Sequence, residues 1–558
     1  MLESWMVASG SSSGRVAQLV RAPRLHRGGP GFESLRAHHF SPAPAGPDTT
    51  VKPNDPVALS VTRRLIAGSA LIVLVYLGLG LTNVFTRAPW CDEAWFGNPA
   101  YNLAYKGFMG TTVLDPASST WKSVKLTGID RHTYWVMPLN LLWNAAGFRA
   151  FGFSIFSMRL VSLVWGLLAL GAWGAILWKL TGQLMLTLGS LGLIAVDYHF
   201  LLQASDGRMD IMTVALGWSG VAAYLMLRER SFPRAVLVSQ SLTAMACFTH
   251  PNGLLLALIL LATTLYFDGR RIRIGTVAIA AVPYLVGAAG WALYIAGSPA
   301  DFLAQLLGNA SGRGPGIATP IAALQLEISH RYMDNFGLAA WSSRAGRLNA
   351  IPLAIFLVGV AVCLLSAEIR RHPGYRLAIV WTAITVVFMT WFEGLKTFYY
   401  VIYLTSLYSI LLAVAAGWIW QRRPRWRWAV AGVLLVFVAL QAARTPIADS
   451  RNPRRTTYDP AVEYLRARFN RQTFIMGSAS LIFGLGPDWR ILDDFHLGFD
   501  SGKRAEVVMI DPHWADGIEM LQAQQPSLYA FVTQLLRSEY REVYNQGGYR
   551  ILIRQTHL

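Results

Sequence analysis

The stretch LIAGSALIVLVYLGLGLTNV, residues 65–84, decides the fold class, because it carries no charged residue. A helix needs about 20 apolar residues to cross the hydrocarbon core of a bilayer, so this stretch predicts a membrane span. It is followed closely by WCDEAWFGNPAYNLAYKGF, residues 90–108, in which Asp92 and Glu93 are neighbours among aromatic residues. Charges near a bilayer cost free energy unless something offsets them, and they are usually functional. The acidic pair is therefore the starting point for a functional hypothesis.

The composition of the chain indicates an integral membrane protein. Of its 558 residues, 54% are hydrophobic and 14% are charged, whereas soluble domains carry about 25% charged residues. The net charge of +18 does not indicate nucleic-acid binding, because the Arg and Lys residues cluster in short loops between apolar runs. The three cysteines include no CxxC pair, so neither a zinc site nor a disulfide framework is predicted.

Apolar runs and basic loops together predict the topology. About eleven runs read as spans, at residues 65–84, 154–178, 184–203, 210–227, 235–249, 253–267, 274–296, 351–367, 377–393, 397–419 and 428–444. Basic loops follow the fourth, sixth, eighth and tenth of them, at residues 228–234, 268–273, 368–376 and 421–427. Positive charge accumulates on the cytoplasmic side. The outer loops 85–153 and 297–350 and the tail from residue 445 are therefore expected on the opposite side.

Three parts of the chain are predicted. Residues 1–60 are rich in Gly, Ser, Arg and Pro; we expect a disordered segment, or an extension from a wrongly assigned start. Residues 61–444 form the transmembrane module. Residues 445–558 alternate strand-like and helix-like segments and predict a small extracytoplasmic α/β domain. The predicted fold is an all-α multi-pass membrane protein with this small domain at its C-terminus, which we expect to be structural or to gate the substrate.

Polar residues gather on the predicted outer side. They lie at the mouths of different helices, which predicts one shared polar pocket. They are Asp92 and Glu93 in the first outer loop, Asp206, Arg208 and Asp210 in ASDGRMD (204–210), His250 in THPNG (249–253), and Glu393, Lys396, Tyr399 and Tyr400 in EGLKTFYY (393–400).

Each of these residues also has a structural interpretation. The acidic pair could cap a helix N-terminus and interact with its dipole. Arg208 and Asp210 could form a structural ion pair, and His250 could begin a helix. Lys396 could extend to the membrane interface, and the adjacent tyrosines, Tyr399 and Tyr400, could belong to an aromatic belt. The functional interpretation depends on the joint pattern.

The segment CDEAWFGNPAYNLAYKGFMG, residues 91–110, resembles the first outer loop of a known superfamily. It comprises the dolichyl-phosphate-mannose protein mannosyltransferases and the lipid A aminoarabinose transferases, which are GT-C fold glycosyltransferases of the family 39/83 type. GRMD (207–210) is similar to the Arg-x-Asp of that family, and KTFYYVIYLTSLYSILLA (396–413) to its Lys-x-x-Tyr-Tyr run. In THPNG, Pro251 stands where the family has Lys. The resemblance covers roughly residues 65–420.

The resemblance implies an inverting transfer of a sugar from a polyprenyl-phosphate donor to an acceptor hydroxyl. The acceptor would be a glycan, a lipid or a protein. Asp92 would be the general base, Glu93 would orient the acceptor or Asp92, and Asp210 would orient Arg208 or bind the acceptor. The donor phosphate would meet Arg208, Lys396, Tyr399, Tyr400 and His250.

The scheme requires no metal or other cofactor, although Asp92, Glu93 and Asp210 could together hold one hard cation. The expected location is the inner (plasma) membrane, with the site on the extracytoplasmic side. A multi-pass transporter or a lipid or glycan flippase is the alternative, and it would place charges near the bilayer midplane. A membrane polysaccharide polymerase or ligase would share the outer site. The sugar and the acceptor do not follow from the motifs.

Overall fold

The computed structural model describes residues 56–117, 126–310 and 316–555, so residues 1–55 of the predicted N-terminal extension lie outside the described residues. Up to the C-terminal part, the α-helices in chain order are α1 Pro56–Thr86, α2 Cys91–Lys106, α3 Pro138–Phe151, α4 Ile155–Thr181, α5 Leu184–Val196, α6 Tyr198–Ala204, α7 Asp210–Leu227, α8 Phe232–Thr249, α9 Gly253–Asp268, α10 Ile274–Ile295, α11 Pro299–Ala310, α12 Pro320–Leu326, α13 Arg344–Leu365, α14 Ala367–Arg371, α15 Pro373–Trp391, α16 Ile402–Arg422 and α17 Arg427–Asp449. A π-helical segment, Glu327–Asp334, follows α12, and a short 3₁₀ turn, Phe398–Val401, leads into α16.

The helices confirm a multi-pass membrane protein. Within the described ranges, nine helical segments are long and apolar enough to cross a membrane, and the bent pair α5 and α6 makes a tenth. The remaining predicted run, 235–249, forms α8. Arg234 and Gln240 lower the mean hydropathy of α8, so it is not counted among the ten. All eleven predicted runs are thus helical, and one of them is more polar than a typical span.

Aromatic residues hold the centre of the helical bundle. Trp173 of α4, Trp218 of α7 and Trp381 of α15 meet with ring centroids 3.9, 5.2 and 6.2 Å apart. The Trp381 indole donates to Thr263 Oγ1 of α9 at 2.9 Å, which satisfies its buried N–H. Helices from four separate runs are thereby fixed relative to one another.

The third predicted span is bent by 66° at its break between α5 and α6. Asp197 lies at this break and caps α6, because its Oδ1 accepts from the Phe200 amide at 2.9 Å. Its Oδ2 accepts from Gln441 of α17 at 2.6 Å. The bend directs the chain into the turn at residues 205–209, which carries Arg208.

Much of segment 85–153, the first predicted outer loop, is helical. Phe96 and Ala100 of α2 pack in one buried cluster with Leu141 and Phe148 of α3. In segment 297–350, the second predicted outer loop, Gln305 of α11 accepts from the Tyr134 amide at 2.7 Å and donates to the carbonyl of residue 132 at 2.8 Å. The two loops therefore pack against each other and support α2 at the mouth of the bundle.

The C-terminal part is a small mixed α/β domain. Its sheet has the order β2-β1-β3-β5-β4, in which β1 pairs parallel with β2 and β3, and β5 pairs antiparallel with β3 and β4. The elements are α18 Asp459–Arg468, β1 Ile475–Gly477, α19 Leu481–Leu485, β2 Ile491–Leu492, β3 Val507–Ile510, α20 Pro512–Gln524, α21 Pro526–Glu539, β4 Tyr540–Gln546 and β5 Tyr549–Arg554. The predicted fold class is confirmed.

Candidate active site

Within the acidic pair, Glu93 is the residue whose carboxylate accepts several hydrogen bonds. Its carboxylate accepts from Arg159 Nε and Nη2, both at 2.7 Å, and both side chains are almost fully buried. It also accepts from the Trp90 amide at 2.9 Å and from the Gly207 amide at 3.0 Å. Burial by itself raises the pKa of the Glu93 carboxyl, but the charge and hydrogen bonds of Arg159 outweigh burial and hold the pKa below its ordinary value.

Arg159 connects this carboxylate to the end of the first span. It lies near the start of α4 and donates to the carbonyls of residues 84, 87 and 88, at 3.2, 2.9 and 3.1 Å. Those carbonyls lie at and just beyond the end of α1, where helix carbonyls have no intrahelical partner. Glu93 and Arg159 therefore fix the position at which α2 begins and the direction in which Asp92 points.

Asp92, the more accessible member of the pair, faces Arg208. Its side chain is 18% exposed and forms an ion pair with Arg208 Nη1, and Arg208 Nε donates to Asp210 Oδ2 at 3.1 Å. Asp210 is fully buried, and its Oδ1 has no hydrogen-bond partner among the described residues. One cation is thus shared by two carboxylates, and one of these carboxylates reaches solvent.

Tyr399 completes this group. The Arg208 guanidinium lies 3.6 Å from the centroid of the Tyr399 ring and 5.8 Å from that of Phe96. A cation over an aromatic face at this distance is held electrostatically. The structure therefore brings together Asp92, Arg208, Asp210 and Tyr399, which come from three separate parts of the sequence.

His250 and Tyr400 form a second pair. The Tyr400 hydroxyl and His250 Nε2 are 3.3 Å apart, and His250 Nδ1 accepts from the Asn252 amide at 3.0 Å. Because Nδ1 accepts, the neutral ring carries its proton on Nε2. The Tyr400 hydroxyl therefore accepts from His250 when the ring is neutral.

Lys396 lies in a different polar cluster. Its ammonium forms an ion pair with Glu327 at 3.1 Å and donates to the carbonyls of residues 389, 390 and 393 at 2.5, 2.7 and 2.5 Å. Arg331 joins the same cluster through Glu327 Oε1 at 2.7 Å and through an ion pair with Glu393. Burial lowers the pKa of Lys396, and Glu327 opposes that shift. The Lys396 ammonium caps the end of α15, and none of its contacts joins it to Arg208.

Asp206 is a buried carboxyl that interacts electrostatically with Glu93. Its Oδ1 has no hydrogen-bond partner in the described part of the chain. Burial raises the pKa of Asp206 to about 7, and the negative charge of Glu93 acts in the same direction. The two carboxyls differ because Glu93 has Arg159 as a bidentate partner.

The C-terminal domain contacts the same helix that carries the acidic pair. Asp493 accepts from Trp95 Nε1 of α2 at 3.0 Å, from Trp514 Nε1 at 3.0 Å and from the Ala479 amide at 2.9 Å. Burial raises the pKa of Asp493 to about 6. The rings of Trp90 and His513 are 4.7 Å apart. The domain therefore forms one wall beside the start of α2.

The carboxylates considered for a hard cation do not converge on one point. Glu93 faces Arg159, whereas Asp92 and Asp210 face Arg208. Across the described ranges, no three His, Cys, Asp or Glu side chains are arranged to hold a metal ion.

Sequence reasoning did not identify Arg159, Glu327, Arg331 or Asp493 as part of these clusters. The sequence does contain a feature that could have identified Arg159, because this charged residue lies one turn inside a long apolar run. A second feature could have identified Glu327 and Arg331, because these opposite charges are four residues apart and so lie on one helical face. Asp493 had none, because its partners are remote in sequence.

No protein-family model matches the chain, and no curated protein matches it. Solved structures do match it. ArnT from Cupriavidus metallidurans bound to undecaprenyl phosphate aligns with a TM-score of 0.53 and 14% identity, over 87% of this chain and 97% of that one. This likeness shows a shared fold, and the predicted GT-C-like fold is confirmed.

Two further structures align less well. The archaeal oligosaccharyltransferase AglB from Archaeoglobus fulgidus, in complex with an inhibitory peptide and a dolichol-phosphate, gives a TM-score of 0.49 at 12% identity, over 88% of this chain and 74% of that one. The arabinofuranosyltransferase AftD from Mycobacteria gives 0.44 at 12% identity, over 88% of this chain and 40% of that one.

Proposed function

We propose that this protein is a membrane glycosyltransferase that moves a sugar from a polyprenyl-phosphate donor to an acceptor hydroxyl. The observation that carries the proposal is the ion pair between Asp92 and Arg208 at one end of the helical bundle. It places a partly exposed carboxylate beside a fixed guanidinium. A carboxylate can accept the proton of an attacking hydroxyl, and a guanidinium can stabilise a leaving phosphate.

In the proposed reaction, the acceptor oxygen attacks the anomeric carbon while its proton passes to Asp92. The bond between that carbon and the phosphate oxygen breaks on the opposite face, so the anomeric configuration is inverted. Negative charge grows on the departing polyprenyl phosphate next to Arg208. Asp210 and Tyr399 hold Arg208 in place through its Nε and its flat face.

The existing ion pair suggests an order of binding. Arg208 neutralises Asp92 before substrates arrive, and a donor phosphate would compete for the same guanidinium. Once the phosphate engages Arg208, Asp92 is released to act as a base. Glu93 serves as a positioning residue in this scheme, since its hydrogen bonds in the described part of the chain are to Arg159 and to backbone amides.

The roles of the other predicted phosphate ligands follow from where they lie. Tyr400 follows Tyr399 in the chain, and its hydroxyl contacts His250. We propose that Tyr400 and His250 contact the phosphate after Arg208 does. Lys396 would have to break its ion pair with Glu327 to reach the donor phosphate. We therefore assign Lys396 mainly to supporting the EGLKTFYY loop.

Several features support a polyprenyl donor and an extracytoplasmic site in the plasma membrane. The matching ArnT structure contains undecaprenyl phosphate. The basic loops stand at the helix ends opposite the acidic pair, which favours an outer location for that pair. The charged residues lie at helix ends, whereas a transporter or flippase would hold them near the bilayer midplane.

The test is sugar transfer from a panel of radiolabelled polyprenyl-phosphate sugars in membranes that carry the wild type or Asp92→Asn. This substitution keeps the size of the side chain and removes the base. General-base catalysis contributes roughly 10²- to 10⁴-fold to a rate, so we expect a loss of that order at equal protein level. Asp488→Asn is the matched control, because Asp488 is an exposed carboxylate on the C-terminal domain.

Transfer by the wild type and by Asp488→Asn, with loss in Asp92→Asn, supports the class and the base together. If transfer survives in Asp92→Asn, the protein is still a glycosyltransferase, but the general base is Asp210 or Glu93. If the wild type transfers from no donor while it moves labelled lipid across a vesicle membrane, the glycosyltransferase proposal is wrong and the flippase alternative replaces it.

A further inference from the structure

An apolar crevice opens between three helices of the membrane-spanning part. Its volume is about 720 Å³, and α13, α16 and α17 form its walls. Small and branched side chains line it, including Ala354, Val358, Gly359, Ala415, Ala429 and Val433. The volume lies within the range of sites that hold small organic ligands, roughly 300–1,000 Å³.

One end of the crevice is strongly basic. Arg423, Arg425 and Trp426 line it at the short connection between α16 and α17. Arg423 and Arg425 form no ion pair within the part of the chain that the structure describes, and both are exposed. Their neighbours are engaged, since Arg422 pairs with Glu368 at 3.2 Å and Arg427 donates to the carbonyl of residue 420 at 2.8 Å.

The basic end of the crevice and the candidate active site lie at opposite ends of the same span. Tyr399 begins the span Phe398–Arg422, and Arg423 follows its last residue. At 1.5 Å per residue, these two positions are roughly 35 Å apart. The connection between two spans lies at the membrane surface, so the basic end meets lipid headgroups while the apolar walls run along lipid tails.

We infer that this crevice binds an anionic diacyl phospholipid, with its acyl chains between α13, α16 and α17 and its phosphate against Arg423 and Arg425. Charge complementarity at the basic end identifies the headgroup, because basic pockets between spans bind anionic headgroups. Trp426 at the same level suits an interfacial position. This site is separate from the proposed donor site and does not depend on the proposed reaction.

The test measures retained lipid by native mass spectrometry on the purified full chain, after titration with phosphatidylglycerol or phosphatidylcholine of the same acyl length. We expect the wild type to prefer phosphatidylglycerol. Arg423→Gln with Arg425→Gln should weaken phosphatidylglycerol binding about 10- to 30-fold, because each arginine near a headgroup adds roughly one factor of five. Ala429→Phe should reduce binding of both lipids by filling the crevice.

The matched control is Arg234→Gln with Arg270→Gln, which removes the same charge from exposed arginines that do not line the crevice. Binding by this control should equal that of the wild type. The inference is wrong if the Arg423 and Arg425 double variant binds phosphatidylglycerol as the wild type does, or if the control loses as much. It is also wrong if undecaprenyl phosphate binds the wild type more tightly than phosphatidylglycerol does and loses that binding in Ala429→Phe, since the occupant would then be a polyprenyl lipid.

Discussion

Glu93 and Arg159 are 66 residues apart in sequence and meet through two hydrogen bonds of 2.7 Å in the buried junction between α2 and α4. The pair joins the start of α2 to the helix that follows the first outer loop. Asp92 precedes Glu93 and points the other way, toward Arg208. We therefore propose a structural role for Glu93 and a chemical role for Asp92, which is the partly exposed member of the pair.

The first prediction concerns this buried ion pair. Glu93→Gln leaves the Arg159 charge buried without a counter-ion, and breaking such a pair costs about 3–5 kcal/mol. We expect a correspondingly lower free energy of unfolding for the purified protein in detergent. Glu542→Gln is the control, because Glu542 and Arg550 form an exposed pair at 2.6 Å and exposed pairs contribute at most about 1 kcal/mol. Equal effects of the two changes would contradict a structural role for Glu93.

The second prediction concerns the Arg208 guanidinium. Arg208→Lys keeps the positive charge but loses the planar guanidinium. The variant therefore cannot stack on the Tyr399 ring and donate to both Asp92 and Asp210. We expect kcat/KM for the donor to fall about 10²-fold, as for the loss of one donor to a developing negative charge, with little change in the free energy of unfolding. Tyr399→Phe keeps the ring and should cost only a few-fold. An equally large loss in Tyr399→Phe would instead assign the Tyr399 hydroxyl to the phosphate.

The third prediction separates two roles for Lys396. Lys396→Met removes one of the two cationic partners of Glu327 and the donor to the last carbonyls of α15. We therefore expect a lower midpoint of thermal unfolding and a loss of transfer in proportion to folded protein. Lys106→Met, at an exposed position in the last turn of α2, should leave both unchanged. An unchanged midpoint with a raised KM for the donor would restore the role of Lys396 as a phosphate ligand.

The sequence was sufficient for the helical part of the fold because membrane spans are determined locally, by length and apolarity. The eleven runs therefore became helices near their predicted bounds. The C-terminal domain was harder. Strand β4 is an exposed edge strand of mixed polar residues, YREVYNQ, without alternation. Helix α20 begins at a proline after the capping residue Asp511 and buries Trp514, Ile518 and Leu521 at helical spacing, a signal that sequence reasoning did not use.

The sequence could predict which residues belong to the candidate site, but not which of them contact one another. Asp92, Arg208 and Asp210 stood out as charges at helix mouths, and the structure places them together. The sequence could not indicate that Lys396 contacts Glu327, because that contact depends on how segment 297–350 packs. It also could not separate Asp92 from Glu93, since their difference comes from Arg159, which lies on another helix.

The last prediction concerns the pH dependence of stability. The pKa of Asp206 is raised to about 7 in the folded protein, whereas an unfolded aspartate has a pKa near 3.9. Between these values the folded state holds a proton that the unfolded chain has lost, so this group's contribution to stability falls as pH rises from about 4 to about 7 and is constant above. Asp206→Asn cannot lose a proton and does not show this fall. We expect the thermal midpoint of Asp206→Asn, relative to the wild type, to rise between pH 5 and pH 8, while Asp488→Asn follows the wild type. A pH-independent difference between Asp206→Asn and the wild type would mean that Asp206 is ionised throughout, with a counter-ion such as Arg208 or Arg159.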